Sequence, residues 1–141
     1  MSVPNIVIDT NVIIAALRSK RGASNKLLSF VGTSKFEIHD SVALILEYEE
    51  VMQRQRAELG LSKEEVSIFI DSLCSMAHHH QIYFLWRPFL TDVNDELVLE
   101  LAVSANCEYI LTHNIRDFKG SEKFGIRAIT PKEFLQMIRE V

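Results

Sequence analysis

Apolar and polar positions run along this 141-residue chain in blocks, and the blocks predict its elements. The opening "NIVIDTNVII" holds six Ile and Val residues interrupted by Asp-Thr-Asn. Asn5–Asp9 reads as a short buried strand, continuous, β-branched and too brief to show a helical period. From Asn11, "NVIIAALRS" has helical spacing and ends in the basic "RSKRG". A second helix is predicted from Ser24 to Val31, and "KFEIH" is a short strand. A long helix follows, about Ser41 to Leu59, with Leu44, Tyr48, Val51 and Met52 on one face and Ile45 beside them. Gly60 stops it.

"SKEEV" opens the next helix with a capping-box pattern, Ser62 and Glu65, and apolar positions at Val66, Phe69, Ile70, Leu73 and Met76. "HHH" at residues 78–80 reads as a loop between elements, because consecutive histidines on a regular element point different ways and do not converge on one ion. "QIYFLW" is a strand, followed by Pro88. Residues near Asp95 to Ala105 form an apolar helix, and "EYILT" and "IRAIT" are strands. In "TPKEFLQMI", Thr130 caps, Pro131 takes the first helical position and Glu133 completes the box. Strands alternating with helices argue for a three-layer α/β/α sandwich with a central, mostly parallel sheet. With no repeat, linker or low-complexity tract, residues 1–141 read as a single domain.

Composition narrows the class. No apolar run reaches the roughly 18–20 residues that span a bilayer, so no membrane role is expected. No basic segment leads into a long apolar stretch, which argues against a secretory signal. Cys74 and Cys107 are isolated and fit reduced thiols in a cytoplasmic protein. A net charge of −4 argues against broad attraction to nucleic acid, though an acidic centre neutralised by cations remains compatible with a nucleic-acid enzyme.

A carboxylate in the middle of an apolar run is costly to bury alone, so Asp9 either meets a partner at the core's edge or caps the helix after it. Open α/β sheets bind ligands beyond the carboxyl ends of their strands. Asp9 closes the first strand, and "THNIRDF" puts Thr112, Asn114 and Asp117 on the same rim. Asp92 and Asp95 precede the apolar helix, and Asp92 has the spacing of its cap. On the long helix Glu50 has Arg54 four residues on, whereas Glu47 has no such partner and borders the apolar face. Clustered carboxylates without Cys or His favour a hard cation, Mg²⁺ or Mn²⁺, one ion or two, and metal-assisted phosphodiester hydrolysis.

These residues resemble a known family, the PIN-domain ribonucleases. "VIDTNVII", "ILEYEEVMQR", "DVNDELVLELA" and "YILTHNIRDF" are similar to its four motifs in order and spacing. The resemblance implies that Asp9, Glu47 and Asp95 are metal ligands and that Thr10 and Asn11 order the site, with Thr112 and Asn114 in the fourth motif. Where many members carry Asp two residues after the Thr, this chain has Asn114, and Asp117 is the carboxylate that completes the set in relatives with a similar "N-x-x-D-F". The resemblance extends to VapC-like toxins of toxin–antitoxin pairs, which implies RNA cleavage, a homodimer and a cognate antitoxin.

Two rivals stand beside this reading. One is a PIN-like module that binds RNA or protein without turnover. The other is a phosphatase or receiver with a phosphorylated strand-end Asp, against which stand Asn11, where a phosphatase wants a second Asp, and Asp9 standing alone, where a receiver wants an acidic pair. Arg18, Lys20, Arg21, Arg116 and Lys119 are candidates for an RNA path, with a solvated surface as their default. Trp86 and Phe89 read as packing residues before base-stacking ones.

Overall fold

The computed structural model of the chain describes residues 3–82, 90 and 92–139. Five strands, β1 (Asn5–Ile8), β2 (Glu37–Ser41), β3 (His78–His80), β4 (Tyr109–Leu111) and β5 (Arg127–Ile129), form one sheet in the order β3-β2-β1-β4-β5. Every pairing is parallel. Six helices connect them: α1 (Thr10–Arg18), α2 (Ala23–Ser29), α3 (Val42–Leu59), α4 (Lys63–Met76), α5 (Val93–Ser104) and α6 (Pro131–Met137).

β1 is central because its apolar run has no polar face to show to water. Ile6, Val7 and Ile8 are fully or almost fully buried, as expected of a parallel strand covered on both sides. The two caps expected from sequence form as complete boxes, Ser62 with Glu65 on α4 and Thr130 with Glu133 on α6. Asp92 caps α5, accepting from the N–H groups of Asn94 and Asp95. Gly60 ends α3 at φ 72°, a left-handed conformation open to glycine at no steric cost. The exposed pair Glu50–Arg54 forms at 3.2 Å.

One expectation is overturned. His78–His80 is not a loop but the edge strand β3, in register with His39, Asp40 and Ser41 of β2. The strand forms because each imidazole finds a partner across the ladder. His78 meets Glu37 at 3.1 Å, His79 meets Asp40 at 2.6 Å, and His80 meets His39 at 2.7 Å. Three like residues show no apolar alternation, so their strand is silent in the sequence pattern. Of the predicted strand "QIYFLW", Gln81 and Ile82 lie beyond β3, and residues 83–86, like Phe89, fall outside the described residues.

The strand order fixes where a site belongs. From β1 the chain moves outward to β2 and β3, then crosses back to β4 on the other side of β1. The carboxyl ends of β1 and β4 therefore flank the point where the winding reverses, the place where open α/β sheets bind ligands.

Candidate active site

Asp9 follows β1 in an extended conformation (φ −68°, ψ 149°) and caps α1, its Oδ1 accepting from the Thr10 N–H at 2.9 Å. The cap uses one carboxylate oxygen, and the second turns to β4. Asp9 Oδ2 accepts from the Thr112 hydroxyl at 2.8 Å and the Asn11 amide at 3.2 Å. Thr112 is fully buried, and its Oγ1 also accepts from the Asn114 N–H at 3.0 Å. Asn11 Oδ1 accepts from the His113 N–H at 3.1 Å. "DTN" and "THN" thus interlock across the ends of two neighbouring strands, whose backbones are joined there by Asp9 N–H to Leu111 C=O at 2.9 Å.

Glu47 arrives from α3. It has no partner in its own helix, and its Oε2 accepts from the Thr10 hydroxyl. One turn of α3 is fastened to the strand end beside it, since the buried Tyr48 donates its hydroxyl to the Ile8 carbonyl. Asp95 comes from the first turn of α5. Asp117 rides on a 3-10 turn, Ile115–Phe118, anchored by the buried Phe118, with Asn114 at its cap.

These four acids act on one another. Asp9 is pushed up to about 6, by burial first; its bonds with Thr112 and Thr10 oppose the rise, and the charges of Glu47 and Asp117 add to it. Asp95 is pushed up to about 7, again by burial first, then by Asp9, Asp92, Asp117 and Glu47. Of the fourth-motif pair, Asp117 is the one whose charge reaches Asp9 and Asp95, while the Asn114 backbone braces Thr112.

The donor chemistry fits a hard divalent cation. All four groups are carboxylates, and a positive ion offsets both the burial and the repulsion that raise Asp9 and Asp95. Among the described residues, no three His, Cys, Asp or Glu side chains are spaced to hold a metal ion as they stand. An ion would therefore have to draw the carboxylates inward. The fit is one of charge and donor type.

A family model described as a PIN domain matches residues 5–116. The chain belongs to the PIN domain family. The matched span takes in Asp9, Glu47 and Asp95 and stops one residue short of Asp117. No curated protein matches by sequence. Solved structures similar in fold include VapBC2 from Rickettsia felis bound to a DNA fragment from their promoter, and VapBC-1 from nontypeable Haemophilus influenzae. The first is 15% identical with a TM-score of 0.62, covering 89% of this chain and 98% of that one. The second is 16% identical with a TM-score of 0.63, covering 91% and 98%.

Around this PIN domain site, Arg18 is held by Gln55 at 2.6 Å and Glu58 at 3.5 Å, and Lys20, Arg21, Arg116 and Lys119 are exposed. Sequence reasoning missed the pairing of Ser24 with His113, 2.8 Å apart across α2 and the β4 rim, for which no spacing gives a signal. It also placed Tyr48 on the apolar face without foreseeing its hydroxyl strut.

Proposed function

We propose that this PIN domain is a divalent-metal-dependent endoribonuclease, the toxin of a toxin–antitoxin pair. What supports the reading is the electrostatic influence of Glu47 and Asp117 on both Asp9 and Asp95, acids carried by four separate elements of a sheet whose winding reverses between β1 and β4. In this proposal Asp9, Glu47, Asp95 and Asp117 hold Mg²⁺ or Mn²⁺, one ion or two. The bound cation supplies a water of lowered pKa and positive charge opposite the phosphate oxygens. Asp9 Oδ1, accepting the Thr10 N–H alone among the described residues, keeps an acceptor position for the ion. Thr112 and Asn11 hold the other oxygen, and Thr10 aims Glu47. The scheme calls for no side-chain nucleophile, since water attacks.

The same proposal includes a homodimer, for which the exposed Val42, Leu46 and Val93 offer apolar surface, and a cognate antitoxin, a reading supported by the VapBC folds. Among the described residues no helix is long and apolar enough to cross a membrane, and we place the protein in the cytoplasm.

The test is cleavage of a mixed single-stranded RNA pool with Mg²⁺ or Mn²⁺, alongside Asp9→Asn and Asp95→Asn proteins of verified fold. Metal-dependent cuts lost in both variants are the expected result. Equal cutting by the variants sinks the assigned site. RNA binding without cutting, once a co-purifying antitoxin is excluded, leaves the non-catalytic module as the answer.

A further inference from the structure

The edge of the sheet brings three imidazoles together on one face. His78 and His80, two apart on β3, point the same way, and His39 lies opposite His78 on β2. The His39 ring stacks on His78 with centroids 4.9 Å apart and lies 5.0 Å from the His80 ring. His79 points to the other face, where it pairs with Asp40.

His39 is oriented as metal-binding histidines are. Its Nε2 gives a hydrogen to Asn5 Oδ1 at 2.8 Å, so its Nδ1 lone pair is aimed at His80 Nε2, 2.7 Å away. Donating the far N–H to a carbonyl oxygen sets the tautomer and the ring direction that a metal needs. Burial first, then the neighbouring imidazoles, push its pKa down to about 4, which keeps that lone pair free of a proton at neutral pH. His80 is the accessible half. It is half-buried and lines a groove of about 400 Å³ with Ser41, Gln81 and Ile82. A neutral His80 that shifts its proton from Nε2 to Nδ1 turns a second lone pair toward the first, with no net gain or loss of protons. Two facing lone pairs at this separation repel unless a cation joins them.

The separation indicates which cation. With metal–nitrogen bonds of about 2.0–2.1 Å, ligands at a right angle stand about 2.9 Å apart, and ligands at the tetrahedral angle about 3.3 Å. The observed 2.7 Å is nearer the right angle, the geometry of tetragonal nickel(II) and copper(II). Among the described residues no third His, Cys, Asp or Glu is spaced to join the pair, so water fills the other positions. We propose that His39 Nδ1 and His80 Nε2 form a two-nitrogen site for such an ion, which ties the edge strand β3 to β2. Imidazole suits these ions and carboxylate suits Mg²⁺ and Mn²⁺, so the site differs from the acidic centre in place and in chemistry. It does not depend on the ribonuclease reading.

The experiment titrates the whole chain with Ni²⁺ by calorimetry and counts the nitrogens on bound Cu²⁺ by electron paramagnetic resonance. Wild type is expected to bind one ion through two imidazole nitrogens. His39→Gln and His80→Gln each remove one nitrogen and weaken binding by at least about tenfold, the least that loss of a supporting partner costs. Asn5→Ala, which frees the far side of His39, weakens it about tenfold and keeps both nitrogens. His79→Gln, on the other face, and Asp95→Asn bind as wild type does. Should His39→Gln fail to fold, His80→Gln on the edge strand decides alone. No binding overturns the inference. Binding that survives the loss of either ligand marks an adventitious ion only and overturns it, as does equal weakening in His79→Gln. Weakening in Asp95→Asn with the histidine variants unchanged puts the ion in the acidic centre and overturns it too.

Discussion

A single buried hydroxyl organises the candidate site. Thr112 donates to Asp9 and accepts from the Asn114 N–H, so its loss leaves Asp9 Oδ2 with the Asn11 amide as its donor and takes the acceptor from a backbone N–H at the same time. Thr112→Val keeps the shape and removes the hydroxyl. It is expected to cost about 1–3 kcal/mol in urea unfolding, whereas Thr112→Ser, which keeps the hydroxyl, costs less. A loss no larger for Val than for Ser would show that packing, not the hydrogen bonds, holds the strand ends together. Asp9 was legible in the sequence because an acid inside an apolar run demands an explanation, whereas Thr10 and Asn11 stood out only through the family resemblance. Tyr48 was not, since a tyrosine at a core-facing position reads as packing until the carbonyl it reaches is known.

At the scale of elements, β3 is where pattern and structure part. The ladder from β2 to β3 buries one imidazole among others. His39 Nε2 lies 2.8 Å from Asn5 Oδ1, a carbonyl oxygen that accepts, so Nε2 carries the proton and Nδ1 accepts from His80. A second proton on His39 would turn Nδ1 from acceptor to donor and force His80 to switch tautomer. Its pKa is pushed down to about 4, by burial first and then by His80 and His78, with Glu37 opposing. A base whose native pKa is depressed contributes stability that is present above its unfolded value of 6.5 and is lost as pH falls through 4. His39→Gln isolates this contribution. Subtracting the variant's unfolding free energy from that of wild type, measured between pH 7 and pH 4, should give a difference that shrinks as pH falls. A flat difference would mean that His39 is free to protonate in the fold. Helix ends, by contrast, were readable, because a cap is local: Ser62, Asp92 and Thr130 each meet N–H groups two to three residues on.

Across the whole molecule, the carboxyl ends of β1 and β4 and the starts of α3 and α5 carry like charges toward one place. Asp9 and Asp95 have native pKa values above the ordinary aspartate value of 3.8, so the fold holds their protons more tightly than the unfolded chain does. Their contribution is favourable below about pH 4 and is lost as pH rises through about 6 and 7, opposite in sign to that of His39. The metal-free protein at pH 8 should therefore gain melting temperature from Asp95→Asn, which removes one of the repelling charges. Mn²⁺ should raise the melting temperature of wild type, as any ligand of the native state does, and raise that of Asp95→Asn less. Equal shifts in the two proteins would place the ion away from Asp95.

The sequence by itself determined the alternation of strands and helices, the burial of β1, the caps and the identity of the acids. Each is a matter of residue type and spacing within about twenty positions, where the chain's own geometry decides. Only the tertiary structure decided that His78–His80 is a strand, because its cause is a set of partners about forty residues away on β2. The same holds for Glu47 with Thr10, Tyr48 with Ile8, and the reach of the Asp117 charge to Asp9 and Asp95. Contacts between distant residues depend on how the elements pack. Electrostatic coupling depends on distance and burial, and neither quantity exists until the chain has folded.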